Sequence, residues 1–233
     1  MSGRSFVSPA FRDRVRLIAV PVALVLGRLG LTPNALTIVG FIGTCGAAIA
    51  AAAQSWVLAG ILVIVFGIFD LFDGALARAT GQASKFGAFL DSTLDRTGEN
   101  LVLAGVVYGC AAAGFELGAG LAALALAFAS VVTYTRAKAE VVGLTGDVGI
   151  APRPERLVVL SIGLVLTGML GGVAGNNACS GGLLCLMDVP SGNNVLALSL
   201  AILVVTCAIT VIQRIVHVKH QLDSSTSSTS SHR

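Results

Sequence analysis

Asp70-Leu71-Phe72-Asp73-Gly74-Ala75-Leu76-Ala77-Arg78 is followed, after eight residues, by Gly87-Ala88-Phe89-Leu90-Asp91-Ser92-Thr93-Leu94-Asp95. These two stretches set four carboxylates at the edges of long apolar runs, and their reading decides the fold. At about 100° per residue, Asp70, Asp73, Gly74, Ala77 and Arg78 share an arc of about 140° on one helix. Gly87, Asp91 and Asp95 recur every four residues and form a stripe about 80° wide on the next. A short turn between the helices makes them antiparallel neighbours, with the acids converging between them near one end.

Working outward, the 233 residues are 55% hydrophobic and only 12% charged, with a mean hydropathy of +0.88. A soluble domain carries about 25% charged residues, so this chain cannot coat a water-facing surface. The net charge of +3 is too small to point to nucleic acid. Six segments are long and apolar enough, or nearly so, to cross a bilayer: about 34–53, 55–79, 86–113, 117–142, 157–174 and 194–213. The class is an all-α integral membrane protein, with one domain over residues 1–222. Ahead of the spans, Arg12, Arg14, Arg16 and Arg28 flank an apolar stretch interrupted by Pro21. It reads as an amphipathic interfacial helix over about 9–30, the alternatives being a signal peptide or a seventh span. From Asp223 the Ser- and Thr-rich end reads as a disordered tail.

Basic residues fall in alternate connections. The N-terminus, the 78–85 turn (Arg78, Lys85), the 136–156 region (Arg136, Lys138, Arg153, Arg156) and the end (Arg214, Lys219) carry them. The connections near 54, 114–117 and 172–193 have no Lys or Arg. By the positive-inside rule both termini and the acid cluster face the cytoplasm, in a multi-pass cell-membrane protein. Cys179 and Cys185, in the 172–193 loop, either pair or remain free thiols, while Cys45, Cys110 and Cys207 lie in spans as small core residues.

A carboxylate within a span costs about 2.5–3.5 kcal/mol on insertion scales. Arg78 and Lys85 offset only part of four, so divalent cations held by oxygen ligands are the economical partners: magnesium, or manganese. Gly74, Ala77 and Gly87 leave room for a ligand beside the acids. A salt-bridged helix pair and a cation transporter are the rival readings. Confinement of the acids to one face, beside several arginines, favours phosphate chemistry over transport.

The string Asp70-x-x-Asp73-Gly74-x-x-Ala77-Arg78-(x)8-Gly87-x-x-x-Asp91-x-x-x-Asp95 resembles the signature of the CDP-alcohol phosphatidyltransferases at every defined position. The resemblance implies transfer of a phosphatidyl-type group from a CDP-linked lipid to an alcohol, with release of CMP. It implies that Asp70, Asp73, Asp91 and Asp95 ligate two magnesium ions, and that Asp95 is also the general base. Gly74, Arg78 and Ser84 match positions that hold the CDP group. Pro33, Asn34, Ala35 and Leu36 match the helix start that faces the nucleotide; free N–H groups at Asn34 to Leu36 are expected to meet an anion there, an ordinary capped helix start being the other reading. Homodimerisation is a further implication, with membrane lipids as the surrounding partners.

The acceptor is read from Thr133, Arg136, Lys138, Arg153, Arg156 and Arg214, a pattern that resembles the branch making phosphatidylinositol phosphate or its archaeal-lipid counterpart. There Thr133, Arg136, Arg153, Arg156 and Arg214 imply a pocket for the phosphate of inositol 1-phosphate; positive-inside anchoring is the plain alternative for these cations. The glycerol-phosphate branch typically has Asp-Pro-x-x-Asp-Lys where this chain has Asp91-Ser92-Thr93-Leu94-Asp95-Arg96. The lipid donor, CDP-diacylglycerol or its archaeol counterpart, is not legible in apolar residues.

Overall fold

The computed structural model describes residues 21, 23–28, 30–175 and 191–230, with side chains through 224. Every regular element among them is helical: α1 (Pro33–Ala52), α2 (Trp56–Ala79), α3 (Lys85–Ala112), α4 (Glu116–Val141), α5 (Arg153–Met169) and α6 (Ser191–Ser230). Of the expected interfacial helix, residues 21 and 23–28 are described and helical. Ala23 packs there against Leu36, Ala75 and Leu76. The loop cysteines Cys179 and Cys185 lie outside the described residues.

Helix starts follow ordinary capping chemistry. Thr32 caps α1, its Oγ1 accepting from the Ala35 N–H at 3.2 Å, with Pro33 in the first helical position where no N–H is needed. Ser84 caps α3 by accepting from Gly87 N at 2.9 Å. Helix α5 begins at Arg153, four residues before the expected 157. Pro152 and Pro154 sit at its start, where proline is tolerated and charge can reach water. Helix α6 continues to Ser230, which departs from the disordered tail expected from Asp223. No Gly or Pro follows Asn194 to break the helix.

Among the described residues, four helices are long and apolar enough to cross a membrane: α1, α2, α4 and α6. Helix α3 falls short in hydropathy because Asp91, Asp95, Arg96 and Glu99 lie along it. Helix α5 has 17 residues and three charges in its first turn.

The six helices close a ring in the order α1–α3–α4–α6–α5–α2 and back to α1. Three sequential hairpins, α1–α2, α3–α4 and α5–α6, are the sides that chain connectivity supplies. This corrects the expectation that α2 and α3 pack as antiparallel neighbours. Helix α1 stands between them. Glycines on α3 explain the choice: a Cβ on Gly105 would lie 2.2 Å from the Ala48 carbonyl oxygen, and one on Gly109 2.3 Å from that of Ala51. Backbones meet at these points as in small-residue membrane contacts. The core runs through the ring interior, from Trp56 and Phe115 at one end through Val106, Leu164, Leu196 and Leu200. Many aliphatic side chains, such as Ile42, Ile61, Val158 and Ile212, point outward and remain exposed, as a lipid-facing surface requires.

Candidate active site

Apart from Glu116 at the start of α4, the described charged residues gather at the end of the ring where α1, α3 and α5 begin and α2, α4 and α6 carry their basic residues. Asp73 is 4% exposed and fixed on two sides. The Thr37 hydroxyl of α1 donates to Oδ2 at 2.6 Å, and the Gly74 N–H donates to Oδ1 at 2.5 Å. Asp70 and Asp95 share one cation. Arg153 Nη1 lies 2.7 Å from Asp70 Oδ2 and 2.5 Å from Asp95 Oδ2. Asp91 lies within electrostatic range of Asp70, Asp73 and Asp95, with Arg153 and Arg96 as its nearby positive charges. A small polar cavity touches Thr37, Thr44, Asp70, Asp95 and Arg153.

The four acids are therefore electrostatic neighbours on α2 and α3, brought together through α1 and α5 instead of direct α2–α3 packing. Among the described residues, no three His, Cys, Asp or Glu side chains are grouped tightly enough to ligate one ion. The donor set nevertheless fits a divalent cation by chemistry. It is all oxygen, its acids repel one another, and Arg153 shares its charge between two of them. Asp70, Asp73, Asp91 and Asp95 are the residues that would hold such an ion.

Beside the acids lies the candidate nucleotide cradle. The Arg78 guanidinium folds over Gly74, with Nη1 3.3 Å from where a Cβ would stand. A Cβ on Gly87 would come 3.0 Å from Asn34 Oδ1 and 3.1 Å from Ser84 Oγ. Asn34, Ser84 and Gly87 thus meet, and Gly87 keeps the space between them open. Pro33 fills its helix-start role. Two of the three amides expected to face an anion are already used, since Ala35 N donates to Thr32 Oγ1 and Leu36 N to the Thr32 carbonyl. Leu36 is buried in packing.

The predicted acceptor residues divide into four settings. Arg136 is exposed beside Glu140 at 3.0 Å, with Thr133 half-buried one turn earlier and Lys138 exposed. Arg214 is within electrostatic range of Arg136 and Arg156. It also donates to main-chain carbonyls, Nε to Val148 at 2.9 Å and Nη1 to Val132. Arg156 is buried against Glu99, which accepts from its Nε and Nη2 at 2.7 Å each. Arg153 sits with the acids. Thr37 and Glu99 escape the signature, although Glu99 stands one turn beyond Asp95, the same spacing that links Asp91 to Asp95.

Residues 30–212 match the family CDP-alcohol phosphatidyltransferase. The chain is 39% identical over 163 residues to the archaetidylinositol phosphate synthase of Pyrococcus horikoshii, covering 70% of this chain and 84% of that one. It is 36% identical over 218 residues to the phosphatidylinositol phosphate synthase of Cutibacterium acnes, covering 92% and 98%. The crystal structure of Mycobacterium tuberculosis phosphatidylinositol phosphate synthase with CDP-DAG bound superposes with a TM-score of 0.72 at 30% identity, covering 86% of this chain and 93% of that one. The same synthase in complex with manganese and citrate gives 0.71, with coverage of 86% and 88%. The fold, the signature and these likenesses agree: the chain is an enzyme of the CDP-alcohol phosphatidyltransferase family.

Proposed function

We propose that this enzyme transfers the phosphatidyl group of CDP-diacylglycerol to inositol 1-phosphate, making phosphatidylinositol phosphate and releasing CMP. The observation that carries the acceptor is the set of guanidiniums at the acid-bearing end: Arg153 on Asp70 and Asp95, and Arg214 in range of Arg136 and Arg156. A phosphate monoester carries nearly two negative charges, and the planar fork of arginine matches its oxygens. Relatives named as phosphatidylinositol phosphate synthases support the same acceptor.

The reading assigns roles as follows. Asn34, Gly74, Arg78 and Ser84 hold the CDP group, with Pro33, Ala35 and Leu36 shaping the helix start beneath it. Thr133, Arg136, Arg153 and Arg214 hold the acceptor phosphate, with Arg156 behind them. Asp95 takes the proton of the attacking ring hydroxyl, a contribution of roughly 10²- to 10⁴-fold. The hydroxyl oxygen forms its bond to the lipid-side phosphorus as the bond from that phosphorus to the CMP oxygen breaks. Two divalent ions, held by Asp70, Asp73, Asp91 and Asp95, would neutralise the pyrophosphate and the leaving CMP; the manganese complex of the mycobacterial enzyme supports that class of ion.

The same reading places six spans in the membrane, α3 and α5 included because each is a side of the ring, behind an interfacial N-terminal helix. It makes residues 1–222 one domain, with both termini and the site at the cytoplasmic face of the cell membrane, and a homodimer as the working form. The likeness to an archaetidylinositol phosphate synthase favours one second reading, an archaeol-linked donor. Membranes containing the enzyme, incubated with CDP-diacylglycerol or CDP-archaeol and labelled inositol 1-phosphate, glycerol 3-phosphate or inositol, test both substrates. Preference for glycerol 3-phosphate or efficient use of free inositol would remove the acceptor assignment.

A further inference from the structure

We infer that Glu99 is a positioning residue for the transfer reaction: through its pair with Arg156 it fixes the first turn of α5, and so aims Arg153 at Asp70 and Asp95. The inference rests on the reading of the acids as the reaction centre. Asp95 and Glu99 stand four residues apart on α3, and Arg153 and Arg156 three apart on α5, so each pair shares a helix face. The two ion pairs are rungs between helices that are not adjacent sides of the ring. They brace it through its interior.

The inner rung has the geometry of a fixed part. Glu99 and Arg156 are each 5% exposed, and the two nitrogens of one guanidinium edge, Nε and Nη2, each donate to the carboxylate at 2.7 Å. Leu103, Ala125, Leu160 and Leu203 surround them. A bidentate pair permits essentially one relative placement of its two backbones. Arg156 Nη1 also donates to the Ala151 carbonyl at 3.0 Å, and Ala151 N donates to Thr210 Oγ1 of α6 at 3.1 Å. One side chain thus ties the start of α5 to α3 and, through Ala151, to α6.

The outer rung needs that help. Arg153 meets both acids through Nη1 alone, and its buried Nε has no hydrogen-bond partner. Its aim is set by where α5 begins. A buried ion pair adds little stability over an apolar pair of equal volume; what this pair supplies is placement.

The test uses the full-length enzyme in detergent, with two readouts: Mn²⁺ affinity by electron paramagnetic resonance, using the metal alone, and steady-state kinetics with CDP-diacylglycerol and inositol 1-phosphate. Arg153 shares Asp70 and Asp95 with any bound cation, so Glu99→Gln is expected to shift Mn²⁺ affinity at least fivefold and lower kcat at least tenfold, with the KM for the CDP-lipid within twofold of wild type. Glu99→Asp, which restores the charge, should reverse part of both effects. If Glu99→Gln does not fold, the paired change Glu99→Leu with Arg156→Met removes both charges together and should show the same shift in Mn²⁺ affinity and the same loss of kcat. Unchanged Mn²⁺ affinity and kcat in whichever variant folds would overturn the inference. Wild-type failure to use inositol 1-phosphate, with Mn²⁺ affinity still dependent on Glu99, would sink the acceptor reading and leave the positioning role standing.

Discussion

Thr37 of α1 donates its hydroxyl hydrogen to Asp73 of α2 at 2.6 Å, in a contact where both residues are buried. The same hydroxyl lies 3.1 Å from the Pro33 carbonyl in its own helix. One uncharged side chain thus orients a signature acid from a helix that carries none of the acids. A hydrogen bond to a charged group contributes about 1.5–3 kcal/mol, and about 1.4 kcal/mol is tenfold in affinity. Thr37→Val keeps the shape and removes the donor. Half-saturation of activity by Mg²⁺ should rise roughly tenfold, read from a metal titration; an unchanged value would deny Asp73 its place among the ion ligands.

Asp95→Asn tests the base. The variant should still bind CDP-lipid while its turnover drops roughly a hundredfold or more. Equilibrium binding of labelled CDP-diacylglycerol, measured beside a rate assay, separates the two. Turnover above about a tenth of wild type would be too fast for a lost general base.

Gly105 tests the packing that puts α1 between α2 and α3. A Cβ there meets the Ala48 carbonyl oxygen at 2.2 Å, whereas one on Gly120 meets nothing within 4 Å. Overpacking costs about 1–3 kcal/mol even where side chains can shift, and backbone yields less readily. Gly105→Val should lower the detergent melting temperature sharply or prevent folding, while Gly120→Ala should match wild type. Equal melting of the two would deny the close α1–α3 approach.

Orientation is checked with single thiols in a background lacking the native cysteines. Gln82, in the turn before α3, and Gln54, between α1 and α2, are both exposed and lie at opposite ends of the bundle. Gln82→Cys should react with an impermeant maleimide only once the cytoplasmic face is opened, and Gln54→Cys in intact cells. The reverse labelling would place the site outside.

The helices of greatest apolar length were legible because lipid demands uninterrupted runs, and the acid stripes because helical spacing is rigid. Ring order was not, since a short turn fixes only that helices follow one another, while the glycine faces of α3 decide which backbone can approach. Arginine partners were hidden for a related reason. Positive residues at one membrane face look alike in sequence, yet Arg136 reaches solvent, Arg156 is sealed against Glu99, and Arg214 holds main-chain carbonyls. Those differences depend on burial, which spacing does not encode. The α5 start was missed because Pro152 and Pro154 look like breakers when they flank an opening turn.

The ring also has a direction in time. Synthesis runs from the N-terminus, so Asp70, Asp73, Asp91, Asp95 and Glu99 all leave the ribosome before Arg153 and Arg156. Until α5 is inserted between α2 and α6, the nascent chain is an open arc with its acids lacking those two guanidiniums. The final hairpin delivers closure and counter-charge in one step. A chain that stops before Arg153 therefore has its acids without the two guanidiniums that pair with Asp70, Asp95 and Glu99 in the complete ring.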